Sequence, residues 1–127
     1  MSLSIIMPTY NAVDTISRSI NSFIKLDQIS DFNCKLYVVD DFSNDGTLDK
    51  LDELTKNNAN IFVIKNKKNI GPGLSRNVAL KKIKNGYIGF LDADDEIIPE
   101  SYLDAINCGS IIESDWITFN GWFCNNN

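Results

Sequence analysis

The alternation of short apolar runs with helix-spaced stretches limits what this chain can fold into more than any other feature. Five segments, residues 3–9 (LSIIMPT), 35–40 (KLYVVD), 61–64 (IFVI), 87–91 (YIGFL) and 116–119 (WITF), read as strands rich in β-branched and aromatic residues. Between them, apolar residues recur at helical spacing: Ile16, Ile20, Phe23 and Ile24, then Leu48, Leu51 and Leu54, then Leu74, Val78, Ala79 and Ile83. Residues 99–106 make a further short helix. Strands that alternate with helices predict right-handed βαβ units and a mostly parallel sheet. The strand runs are continuously apolar, as expected when helices cover both faces. The fold class is α/β.

Local signals place the ends. Asn11 stands where an N-cap of the first helix would, and Asp45 ahead of Thr47 is suited to cap the second. Residues 42–46 (FSNDG) form a turn. Residues 65–73 (KNKKNIGPG) make a basic, glycine-containing loop before a helix over residues 74–84. At 127 residues the chain amounts to one domain, able to bury a core without disulfides or metal staples.

Composition removes several classes of chemistry. Histidine is absent, which excludes Ser-His-Asp and Cys-His nucleophilic sites and His-ligated zinc. Cys34, Cys108 and Cys124 are odd in number and widely spaced, so they are expected to be small buried hydrophobes in a reducing compartment. No apolar run is long enough for a membrane-spanning helix and no signal peptide opens the chain, so a cytoplasmic protein is expected. The net charge of −5 is unevenly spread: all 12 basic residues lie at or before Lys84, and 8 of the 17 acidic ones follow it. An acidic balance without a basic and aromatic stripe disfavours nucleic acid as a partner.

In an open parallel sheet, ligands bind beyond the carboxyl ends of the strands. The unusual residues fall there: Pro8-Thr9-Tyr10-Asn11 after the first strand, Asp40-Asp41 after the second, the basic loop after the third, and Asp92-Ala93-Asp94-Asp95 after the fourth. If extended, Asp92 and Asp94 point to one side and suit Mg²⁺ or Mn²⁺ completed by water and phosphate. An acidic turn that merely caps the next helix is the plainer alternative. Asp41 suits recognition of a base or ribose, as acidic residues do in nucleotide-binding α/β folds. Gly71 and Gly73 permit close backbone approach at a helix N-terminus, and Arg76 can reach a phosphate. The glycines do not match a dinucleotide fingerprint, since they follow the third strand with different spacing. Together these segments fit an anionic nucleotide whose diphosphate meets a metal.

Four segments, SIIMPTYN (residues 4–11), YVVDDFSNDGT (37–47), NIGPGLSRNVAL (69–80) and GYIGFLDADDEIIPE (86–100), resemble the successive signatures of family 2 glycosyltransferases. The resemblance implies a Rossmann-like GT-A fold that binds a nucleotide-sugar donor, commonly a UDP-sugar, and transfers the sugar with inversion to a saccharide or lipid-linked acceptor. By position it places Pro8, Thr9 and Tyr10 at the nucleoside, Asp41 at the base, and Gly71 and Arg76 near the nucleotide. Asp94 becomes the direct ligand of Mn²⁺ or Mg²⁺, with Asp92 nearer the ribose or a metal-bound water. It also implies that residues 1–127 are the donor-binding part, that the acceptor-binding part is absent, and that the general base lies beyond Asn127. Membrane association of a longer protein is left open.

Other families with clustered aspartates fit less well. A haloacid-dehalogenase-type phosphatase wants Thr or Val where Glu96 stands, a receiver domain needs its acids after other strands, and an EF-hand needs a glycine after Glu96. A non-catalytic module that binds sugar nucleotide without turning it over is the remaining alternative.

Overall fold

A computed structural model describes residues 1–111 and 115. Its elements alternate: β1 (Ser2–Thr9), α1 (Ile16–Ile29), β2 (Asn33–Asp40), α2 (Thr47–Thr55), β3 (Ile61–Lys65), α3 (Pro72–Leu80), β4 (Tyr87–Phe90) and α4 (Pro99–Ile111). The strands pair in parallel in the order β3-β2-β1-β4. The fifth apolar run, residues 116–119, lies outside the described residues. Among the described residues no helix is long and apolar enough to cross a membrane.

The strand order dictates where the helices go. From β1 to β2 to β3 the chain steps in one direction, and α1 and α2 share one face of the sheet. From β3 it crosses back to β4, so a right-handed connection puts α3 on the other face. The first face holds most of the core: Leu3, Ile5, Met7, Leu36 and Val38 pack with Ile16, Ile20, Phe23, Leu51 and Tyr102. Burying a side chain such as Phe23 contributes about 2 to 3 kcal/mol. Among the described hydrophobic residues, the second face fully buries only Ile6, Val39 and Ala79, with Tyr37, Ile64 and Val78 at its margin.

Several expectations change in detail. Leu74 does not face inward but is 57% exposed. Pro72 opens α3, and that register turns the small residues Ser75 and Ala79 toward the sheet instead. Helix α3 stops at Leu80, well short of residue 84, and the chain continues in turns from Lys82 to Ala79 and from Ile83 to Leu80. Helix α4 runs further than residue 106, to Ile111. Cys34 is buried as expected, Cys108 is exposed on α4, and Cys124 lies outside the described residues.

Pro8 marks the place where the sheet opens. In a parallel sheet successive residues turn their backbone groups to opposite neighbours. Ile6 turns to β4, since its carbonyl accepts from Leu91 N–H at 3.0 Å, and Thr9 turns to β2, where it accepts from Asp41 N–H at 2.7 Å. Pro8 therefore faces the β4 side, beyond the last rung at Ile6↔Phe90, where no donor is needed. Strand β1 thus outruns its pairing with β4 at the carboxyl edge.

Candidate functional site

The site lies at the boundary between β1 and β4, where the strand order reverses. Pro8 and Thr9, at the end of β1, are both buried, and Tyr10 beside them is half exposed. The segments after β1 and β2 are bound together. Asn11 N–H donates to Ser43 Oγ at 3.0 Å, and Asn44 N–H donates to Asn11 Oδ1 at 2.9 Å. Asn11 is thus no N-cap. It takes φ 47°, a left-handed turn that asparagine tolerates, and Thr15 precedes α1 instead. Asp45 does serve the start of α2, accepting from Thr47 N–H at 3.0 Å, and it also accepts from Val13 N–H at 3.2 Å. Burial pushes its carboxyl up, but the bonds from Thr47 and Val13 outweigh that and hold it below the ordinary value.

Asp41 is 3% exposed and organises the loop after β3. Its Oδ1 accepts from Asn66 Nδ2 at 2.8 Å and Ile70 N–H at 2.9 Å, and its Oδ2 from Gly71 N–H at 2.8 Å. Asn66 Nδ2 also donates to Ser75 Oγ at 3.0 Å, tying the loop to α3. Burial raises the Asp41 carboxyl, yet the bonds from Asn66, Ile70, Gly71 and Ser75 prevail and leave it lowered. Gly71 adopts φ 86°, which lets two successive amides aim at one carboxylate and is open only to glycine at little strain. The amides before α3 therefore hold the chain's own anion. Asp40, one residue earlier, is buried on the other face and accepts from Ser43 N–H at 3.1 Å. Its Oδ1 has no partner among the described residues.

The acidic segment after β4 is built differently. It is a turn, not an extended run: Asp95 N–H donates to Asp92 C=O at 3.0 Å, so Asp92 and Asp94 do not share a side as alternate strand residues would. The backbone is fixed from α1, where Ser19 Oγ donates to Ala93 C=O at 2.8 Å and Ile97 N–H donates to Ser22 Oγ at 2.9 Å. The acidic side chains stay exposed. Arg76, in the second turn of α3, reaches Asp92 Oδ1 with Nη2 at 2.6 Å and lies 5.9 Å from the Phe90 ring centroid. Asp94 has no hydrogen-bond or ion-pair partner among the described residues. The Asp95 carboxyl is raised by burial first, then by the charges of Asp94 and Asp92.

Asp92 and Asp94 are hard oxygen donors in a group that repels itself, which fits Mg²⁺ or Mn²⁺ held in part by phosphate and water. They do not form a closed cage, since the described residues contain no cluster of three metal-ligating side chains. A cation would be shared with a ligand here, not enclosed by the protein.

A family model described as Glycosyl transferase family 2 matches residues 4–107. The chain belongs to glycosyl transferase family 2. Among its relatives, a poly(ribitol-phosphate) beta-glucosyltransferase from Bacillus spizizenii is 37% identical over 116 residues, covering 91% of this chain and 18% of the relative. The glucosyltransferase WfgD of Escherichia coli, named for UDP-Glc and a diphosphoundecaprenol-linked GlcNAc, is 42% identical over 73% of this chain and 35% of its own. A crystal structure of S. aureus TarS 1-349 in complex with UDP-GlcNAc superposes with TM-score 0.78 at 35% identity, covering 91% of this chain and 33% of that one. The chain spans about a fifth to a third of the length of these relatives. The family 2 assignment carries the GT-A fold with it.

The family 2 motifs locate the strand ends but leave out what holds them. Ser19, Ser22 and Asn66 make the bonds that fix the acidic turn and the basic loop, and all three look like ordinary surface residues in sequence. Their only signal is position: polar residues at helical spacing on the otherwise apolar face of α1, and an asparagine directly after β3. Of the basic loop, Lys65 ends β3 and pairs with Asp52 at 3.7 Å, while Lys67 and Lys68 are exposed and have no ion pair among the described residues.

Proposed function

We propose that this chain is the donor-binding part of an enzyme that moves a sugar from a nucleoside diphosphate, a UDP-sugar, to an acceptor hydroxyl with inversion at the anomeric carbon. The observation that carries it is the 2.6 Å bond between Arg76 and Asp92, 16 positions apart in sequence and joined across the β1–β4 boundary. It brings a cation from α3 and a carboxylate from the β4 turn together at the carboxyl edge, with the unpaired Asp94 next to them. Pro8, Thr9 and Tyr10 take the nucleoside. Arg76 and the acidic turn take the diphosphate end, and Gly71 shapes the loop between. Asp41 acts on the base side through the loop it holds. A direct bond from Asp41 to the base requires the loop to open, because the carboxylate is 3% exposed and already accepts from Asn66, Ile70 and Gly71.

A divalent cation held by Asp94 and Asp92 supplies charge neutralisation for the departing diphosphate when bound. The chain's own part is to aim the pair: Ser19 and Ser22 fix the turn's backbone, and Arg76 orients Asp92. The acceptor is a saccharide or lipid-linked saccharide of bacterial surface-polymer synthesis, a reading supported by the relatives' names. Titration of UDP with and without Mn²⁺, followed by calorimetry, tests the reading. Binding that tightens with Mn²⁺ supports it, and binding indifferent to Mn²⁺ removes the metal from it. A sugar-nucleotide-binding module without turnover is separated from the enzyme by release of UDP from a UDP-sugar in the presence of acceptor.

A further inference from the structure

Between Glu53 and Asp92 the chain has no acidic residue, so every charge of β3, α3, β4 and their loops is positive. Lys65 pairs with Asp52, and Arg76 pairs with Asp92. The remaining lysines gather at the two ends of α3: Lys67 and Lys68 before it, Lys81, Lys82 and Lys84 after it. All five are exposed and have no ion pair among the described residues.

The outer face of α3, between these lysines, is apolar. Ser75 and Ala79 turn to the sheet, which leaves Leu74 57% exposed on the outside. A groove of about 530 Å³ lies beside it, lined by Ile70, Leu74, Val78 and Leu80 together with Asn77 and Lys81. Leu74 and Val78 are four apart and Lys81 is three further on, so they follow one stripe of the helix. On the same face of the sheet the outermost strand β3 adds Phe62, 42% exposed and stacked on Tyr37 with ring centroids 5.3 Å apart. An apolar surface of this kind marks a contact with something outside it.

The charges say what kind. A strip with lysines at both ends and no acid within it complements an anionic headgroup layer over an apolar interior. A nucleic acid would match the lysines and leave Leu74 without a partner. The helices α2 and α4, on the opposite face, carry Asp49, Asp52, Glu53, Glu100 and Asp104 against Lys50 alone. An anionic surface therefore attracts one face of the molecule and repels the other, which fixes its orientation.

We propose that the α3 face docks on an anionic lipid surface, with Leu74 and the groove beside it entering the headgroup layer and the lysines at both ends of α3 meeting the lipid phosphates. The attachment is reversible and weakened by salt, since it rests on one short apolar strip and a few exposed charges. It does not depend on the donor reading, because neither Leu74 nor these lysines are placed at the nucleotide.

Cosedimentation of the 127-residue chain with vesicles of phosphatidylcholine, and of phosphatidylcholine mixed with phosphatidylglycerol, tests the proposal. The wild type is expected to bind the mixed vesicles, to ignore pure phosphatidylcholine, and to be released by salt. Replacing both Lys81 and Lys82 by Gln lowers binding roughly thirtyfold, at about fivefold per lysine. Leu74→Ser lowers it about tenfold with the charge unchanged. Lys25→Gln, on α1 of the opposite face, leaves it as it was. These side chains are exposed, so each variant unfolds at the wild-type midpoint. Absence of binding to the mixed vesicles overturns the proposal, as does an equal loss in Lys25→Gln. Binding that Leu74→Ser leaves intact overturns it too, and makes the patch a site for polyanions such as nucleic acid.

Discussion

Two acidic groups stand at the ends of β2 and β4, with only β1 between them, and the chain treats them in opposite ways. At the end of β2, Asp41 is buried and bonded to Asn66, Ile70, Gly71 and Ser75. At the end of β4, Asp92, Asp94 and Asp95 are exposed, Asp92 meets Arg76, and Asp94 meets nothing among the described residues. The same side chain is scaffold in one place and available in the other. Burial and the number of internal donors decide which, and the fold spends its amides on the first pair. Mutual repulsion in the second is relieved only by Arg76 at Asp92 among the described residues, and there an external cation has most to offer.

The contrast can be broken first at Asp41. Asp41→Ala leaves the amides of Ile70 and Gly71 and the Asn66 side chain without their acceptor, and a stability loss of about 3 kcal/mol is expected in urea unfolding. A loss below about 0.5 kcal/mol would make Asp41 as dispensable as an exposed carboxylate and erase the difference. Ser22→Ala is expected to cost less, about 1 to 2 kcal/mol, since it strips one buried acceptor from Ile97 N–H. Hydrogen exchange at the Ile97 amide should quicken with it.

A smaller effect sharpens the same point through pH. The Asp41 and Asp45 carboxyls are held below their ordinary value, so each stabilises the fold above about pH 4. That contribution is lost as the pH falls through their folded values. In Asp41→Asn the thermal midpoint should therefore fall less steeply on acidification below about pH 4 than in wild type. An acid limb of unchanged slope would contradict the assignment. The smallest change belongs to Asp94→Ala, for which stability is expected to stay within about 0.5 kcal/mol of wild type, or to rise slightly as repulsion is removed.

The runs of β1 and β2 were legible in sequence because helices cover those strands on both faces, whereas β3 and β4 are apolar yet leave Phe62, Ile88 and Phe90 exposed among the described residues. The ends of those strands were legible as well, since acidic and glycine-containing segments stand out directly after them. What sequence could not show is how each polar residue is used. Asn11 looked like a helix cap because its neighbours suit one, yet a left-handed turn sends its side chain to Asn44. Gly71 and the helix start looked ready for a phosphate, and long-range pairing gives those amides to Asp41, 30 positions earlier. Leu74 fitted a helical stripe whose register Pro72 then rotated outward.

The central claim is that the exposed acidic turn, and Asp94 within it, is kept free for a cation shared with a bound diphosphate. Calorimetric titration of UDP into wild type and Asp94→Ala at saturating Mn²⁺ tests it most directly. Wild type should bind UDP more tightly with Mn²⁺ than without, and Asp94→Ala should bind at the metal-free level under both conditions while unfolding at the wild-type midpoint. Equal enhancement by Mn²⁺ in the two proteins would contradict the claim.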